Sequence, residues 1–263
     1  PLKIKLPPGT MISAKGSAAM AHWNMSLKTV IDTIYKAFSA AMPDRVPAAH
    51  HAGQGLYLLN GTDPKTGERY SMLDTTLGGW GAQPDHDGFS PMKTTTHGDT
   101  RNIPIEVEET FFPIRVERWE WRSDSAGAGR YRGGLGLRKV YRILEDCSLI
   151  AAFERTKCPP WGLFGGQPAK TGCVIVRNPG EEPKEFRKVT SYPLKRGGTI
   201  ELLSAGGGGR GSSFERPIDE VIADIRDGYI TAEGARDDYG VVIDPATLSV
   251  DTARTDKLRA APR

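Results

Sequence analysis

The chain has 263 residues, enough for one large domain or two small ones and for a sizeable buried core. Its 35 basic and 32 acidic residues are interspersed and leave a net charge of +3, which argues against a nucleic-acid binder, since that needs a concentrated basic stripe. No apolar run approaches the roughly 20 residues of a membrane-spanning helix, and Cys147, Cys158 and Cys173 lack any zinc-finger or disulfide-framework spacing, which points to a reducing cytoplasm.

The opening PLKIKLPPGT carries no signal-peptide pattern and reads as an interior connection, a methionine-trimmed end or a cleavage product. Residues 24–41 then place Leu27, Val30, Ile31, Ile34, Phe38 and Ala41 at spacings of three and four, predicting a long amphipathic helix that Pro43 ends. From 55 to 205 the signals are β. Short runs at 57–61, 69–77, 105–109, 113–121, 137–144, 148–154, 172–178 and 199–205 are rich in strand formers, and Gly, Pro and Asp clusters separate them. In the run 113–121, simple alternation puts Ile114 and Val116 on one face and Trp119 and Trp121 on the other. Two short helices are expected near 218–227 and 231–240, before a polar tail at 245–263. The expected fold is α+β: a β-rich single unit, residues 1–244 with a β core at 55–205, one long N-terminal amphipathic helix and two short C-terminal helices.

Three stretches bear on chemistry. SAGAGRYRGGLGLRK (125–139) clusters glycine with Arg130 and Arg132, but it lacks the GK[ST] end of a P-loop, and a strand-like run follows it where a dinucleotide fold needs a helix. It is either a tight turn between strands or a surface for an anion or a partner's carboxylates. Gly206, Gly207, Gly208 and Gly209, followed by Arg210, raise the same choice between an anion-binding nest and a subunit contact. Asp85, His86, Asp87, His97 and Asp99 form the most polar constellation and are candidates for a substrate cavity or subunit junction. His50 and His51 beside a glycine loop are further candidates to line a cavity. No metal site is assigned to these residues, and no GxSxG nucleophile elbow is present.

GGWGAQPDHDG (78–88), NIPIEVEE (102–109), DSAGAGRYRGGLGLRK (124–139), PPWGLFGG (159–166), GGGGRGSSFERP (206–217) and ARDDYGVVI (235–243) together resemble the B subunit of ATP-dependent hydantoinases, oxoprolinases and ketone carboxylases. The resemblance is to the C-terminal half of that subunit. It departs from the family in one loop, where Arg210, Gly211, Ser212 and Ser213 replace the usual Tyr-Gly-Asp-Pro. What it implies is a split or processed subunit with two partners. One would carry the N-terminal half and a divalent metal, and the other would be a larger A-type subunit that binds ATP. The implied substrate is a small cyclic amide, hydrolysed, or a ketone, carboxylated, after phosphoryl activation. This chain would wall the cavity and hold subunits together, and the alternative is a structural subunit whose partners carry all the chemistry.

Overall fold

The computed structural model describes residues 5–10, 13–17, 25–97 and 100–260. Nine strands form two antiparallel sheets. The first has the order β2-β1-β5-β8, built from β1 (Leu56–Thr62), β2 (Arg69–Thr75), β5 (Cys147–Ala152) and β8 (Lys188–Leu194). The second runs β3-β4-β9-β6-β7, from β3 (Ile114–Arg122), β4 (Gly136–Ile143), β6 (Cys173–Arg177), β7 (Lys184–Phe186) and β9 (Thr199–Leu203). Inward residues of both sheets share one core that includes Leu59, Met72, Ile143, Leu149, Val174, Ile200 and Leu202. A second apolar cluster gathers Val221, Ala235, Tyr239 and Val241 around helices α3 (Ile218–Arg226) and α4 (Ala232–Tyr239).

The expected fold class needs correction on its helices. Helix α1 is short, Met25–Phe38, and it does not pack through the apolar stripe read from its sequence. Leu27 and Phe38 are exposed, while Lys28 and Asp32, one turn apart, are buried. Helix α2 (Ile105–Phe111) occupies the run expected as a strand. Pro104 stands at its N-cap and Glu106 and Glu108 in its first turn, where carboxylates favour the positive end of a helix. After residue 217 there are three helices, because α5 (Thr252–Ala260) forms within the polar end segment, with Thr255 buried and Arg259 donating to the carbonyls of Tyr239 and Arg216. The described residues thus form a two-sheet β structure with five short helices.

A bulge between Val116 and Arg118 overturns the alternation read in β3. Trp119 sits opposite Lys139 and Trp121 opposite Leu137, while Ile114 and Val116 sit opposite Ile143 and Tyr141. Partners of one parity on β4 share a face, so the inserted residue brings both tryptophans round to the side of Ile114 and Val116. There the Lys139 ammonium stands 4.1 Å from the Trp119 ring centre. That lysine also anchors a buried ionic group in the core. Its Nζ donates to Glu108 Oε1 at 2.9 Å and Asp74 Oδ2 at 3.3 Å. Tyr141 donates to Glu108, and Tyr57 closes the ring by donating to Asp74.

Candidate functional site

The glycine runs of the sequence meet at one junction beside the sheets. Gly134 N donates to the Trp80 carbonyl at 2.7 Å, and Gly207 N to the Gly134 carbonyl at 2.8 Å. Gly208 N donates to Ala49, Gly209 N to Gln167, and Arg210 N to Tyr131. A Cβ on Gly207 would overlap the Trp80 carbonyl, and one on Gly134 the Phe89 carbonyl, so glycine here permits backbone to lie on backbone. These N–H groups point at carbonyls of the chain itself, whereas an anion-binding nest turns its donors outward. The arginine after the run is likewise turned inward. Arg210 donates to the carbonyls of Val46 and Pro43 and stacks over Phe164.

Below the junction lies a ring of alternating charge. Asp87 accepts from the Arg132 backbone N–H at 2.7 Å and from both terminal nitrogens of Arg216 at 2.8 Å. Asp224 sits 3.3 Å from Arg132 Nε and 2.9 Å from Arg216 Nη2, and both arginines are buried. Burial alone would raise the Asp87 carboxyl, but hydrogen bonds and charge from Arg216, reinforced by Arg132, hold it below the usual carboxylate range. Its neighbours in the sequence point elsewhere: Asp85 and His86 are exposed and pair with each other at 2.6 Å. Arg130 is also outside the ring, paired with Glu220 at 3.3 Å.

The third feature is a buried polar pocket between α1, the 48–54 segment and the end of β5. The glycine junction positions it, because Ala48, Ala49 and His51 donate to the carbonyls of Ala82, Trp161 and Gly79. His50 stands edge-on to Trp80, and its Nδ1 lies 3.2 Å from Asp32 Oδ1 without the alignment of a hydrogen bond. Asp32 also receives Arg155 Nη2 at 2.5 Å. The Gln54 backbone N–H donates to Glu154 Oε2, and its side-chain amide reaches His97 Nε2 at 2.5 Å. If the amide nitrogen is the donor there, the His97 proton sits on Nδ1, facing Thr100 Oγ1 at 3.2 Å.

Burial and then the charges of His50, Lys28 and Arg155 push the His51 imidazole down to about 3, so it is neutral at any physiological pH. His97 is lowered by burial and by Lys28 and Lys93. Lys28 itself is brought down to about 8 by burial, against the pull of Glu154.

The structure therefore divides the constellation that looked continuous in the sequence. Asp87 and Arg132 belong to the ion ring, His97 joins His50 and His51 at the polar pocket, Asp85 and His86 stay at the surface, and half-buried Arg130 borders the ring through Glu220, which also pairs with Arg216. Asp99 lies outside the described residues. Among the described residues no group of three His, Cys, Asp or Glu side chains is placed to hold a metal ion. Sequence reading missed Lys28, Asp32, Glu154 and Arg155 in the pocket and Arg216 and Asp224 in the ring. The i, i+4 pair Lys28 and Asp32 was the available signal, but it reads equally well as an exposed helical ion pair. Among the described residues no helix is long and apolar enough to cross a membrane.

Residues 1–213 match the Hydantoinase B/oxoprolinase family. An uncharacterized protein of Methanocaldococcus jannaschii is 35% identical over 98% of this chain and 45% of its own length. The caprolactamase subunit beta of Pseudomonas jessenii is 30% identical over 97% of the chain and 45% of its own length. The crystal structure of the ATP-dependent caprolactamase from the same organism superposes with a TM-score of 0.83 at 26% identity, covering 98% of this chain and 46% of that one. The chain thus spans about half the length of the curated relatives it matches. On the sequence match and the shared fold together, the chain belongs to the hydantoinase B/oxoprolinase family.

Proposed function

We propose that the chain is part of a multi-subunit ATP-dependent enzyme acting on a small cyclic amide or ketone, in which it walls the catalytic cavity and holds a subunit contact. The observation that carries this reading is the match along 98% of the chain to a structure named as an ATP-dependent caprolactamase, since a lactam is a cyclic amide. Because the match fills only 46% of that structure, the remainder of the B-type subunit and an ATP-binding A-type subunit are proposed as partner chains. The divalent metal belongs with those partners in this reading.

ATP would supply a phosphoryl group that turns an amide or enolate oxygen into an activated centre. The polar pocket would present neutral His51 and His97 to the cavity, and the glycine junction would keep that wall rigid and dry. The test is turnover in the assembled enzyme. His97→Ala is expected to lower ATP-dependent lactam hydrolysis at least about tenfold while native mass spectrometry shows the assembly intact. Unchanged turnover in an intact assembly would leave the chain a structural subunit, with all the chemistry on its partners.

A further inference from the structure

The polar pocket concentrates an unusual set of atoms. Lys28 Nζ, His51 Nε2, Glu154 Oε1 and Arg155 Nε are all buried and have no hydrogen-bond partner among the described residues. Lys28 is 1% exposed, His51 4%, and the Arg155 side chain 8%. A buried ammonium or guanidinium N–H without an acceptor is strongly unfavourable, and folded chains avoid it unless something else supplies the acceptor.

The acceptors of the pocket are already engaged or discouraged. Asp32 is taken up by Arg155 Nη2 and faces His50. Glu154 gives one oxygen to the Gln54 N–H and leaves Oε1 open with its charge acting on Lys28, but burial raises its carboxyl above the usual range, toward a form that is itself a donor. The lysines and arginine that act on the two imidazoles are cationic: Lys28 and Arg155 on His51, Lys28 and Lys93 on His97. Donors in excess, a positive local field and neutral imidazoles together describe a receptor for negative charge. The His51 ring is held flush against the Gly78 backbone, where any Cβ would strike it, so one wall of the receptor is fixed.

We infer that Lys28, Arg155 and His51 form a binding site for a small oxyanion, a carboxylate, bicarbonate or phosphate group, whose oxygens accept from Lys28 Nζ and Arg155 Nε. The site goes beyond the enzyme reading and stands whether or not the chain walls a catalytic cavity.

The experiment titrates the 263-residue chain with sodium acetate, bicarbonate and phosphate in turn, holding ionic strength constant with chloride, and follows both Tm and the imidazole resonances of His51. At least one oxyanion should raise Tm saturably by several degrees over the chloride control, as expected when a ligand binds only the native state, and shift the His51 signals along the same curve. Which of the three does so separates planar from tetrahedral ligands.

Lys28→Met should then behave in a way a structural lysine would not. Removing the unpartnered charge should raise the Tm of the ligand-free chain, while the oxyanion's affinity falls at least tenfold and Lys28→Arg restores part of it. The inference fails if no oxyanion exceeds chloride, or if Lys28→Met binds as the native chain does. Both wild-type readouts stand even if a variant does not fold. Absence of oxyanion binding by the native chain with normal lactam turnover in the assembly would sink this inference alone, whereas oxyanion binding with no turnover would sink only the enzyme reading.

Discussion

Replacing Asp87 by asparagine tests whether the charge ring holds the junction in place. The carboxylate accepts three hydrogen bonds of 2.7 to 2.8 Å, two of them from the buried guanidinium of Arg216, and it lies 3.6 Å from Arg132 Nη2. Asparagine keeps one acceptor oxygen but sets an NH2 group against a guanidinium, which leaves Arg216 with Asp224 as its only fully buried counter-charge among the described residues. Hydrogen bonds to charged groups are worth about 1.5–3 kcal/mol each. With at least one lost, and the Asp87 side chain 30% exposed so that solvent screens part of the pairing, the expected destabilisation is about 2–4 kcal/mol. For a chain of this size that is a fall in Tm of roughly 4–16 °C.

The pH dependence is fixed by sign. The folded-state carboxyl is held below its unfolded value, so its contribution is complete above the ordinary carboxylate pKa and is lost as pH falls through the folded one. Urea unfolding of both chains should therefore give a constant difference from pH 7.5 to about 5, closing only below about pH 4. A difference under about 1 kcal/mol at pH 7.5, or one that already shrinks between pH 7 and 5, would refute the assignment of Asp87 as the anchor of Arg216.

Lys139→Met should lose about 3–5 kcal/mol at neutral pH, because it strands the carboxylates of Glu108 and Asp74 in the core, and calorimetry should show the deficit shrinking toward pH 5. The direction follows from Glu108, whose carboxyl burial raises, so the stability tied to its protonated form is present at low pH and is lost as pH climbs through the folded value. Gly207→Ala should abolish cooperative folding or cost well over about 3 kcal/mol, whereas Gly180→Ala, at a positive φ with open space around it, should cost only about 1 kcal/mol, and parallel thermal melts separate the two. His51 should stay neutral down to about pH 3, with imidazole carbon shifts flat from pH 8 to 5. Because its pKa is depressed, wild-type stability should fall by up to about 1.4 kcal/mol per pH unit below pH 6.5, a slope that His51→Asn lacks.

Seven of the nine strands follow from local composition, and the two that escape notice, β7 and β8, are sheet edges. β8 carries Pro193 and a left-handed Ser191, which an edge tolerates and a pattern reader takes for a loop. The run at 105–109 misleads for the opposite reason: apolar and acidic residues alternate like a strand, but Pro104 and three glutamates make a helix the better local state. In β3 the two tryptophans were visible, but a one-residue bulge changed the face they occupy. Of the sites, Asp87, His50, His51 and His97 could be singled out because they sit in dense polar or glycine-rich motifs. Their partners Asp32, Arg155, Arg216 and Asp224 were not, since the contacts that give them a role join residues distant in the chain. Arg216 reaches Asp87 across 129 positions and Arg155 reaches Asp32 across 123.

The glycine junction also constrains the order in which the molecule can be made. Its backbone contacts join segments near residues 49, 80, 134, 167 and 208, so the full set cannot close until the 206–210 run has been made. Each contact closes a long loop before it gains any energy, which marks the junction as a late event in folding and a slow one. β1 likewise waits with one edge unpaired until β5 is made, some seventy residues after β2. During synthesis the open edge of β1, whose Tyr57 and Leu59 end up fully buried, is therefore a stretch that must be kept from pairing with another chain.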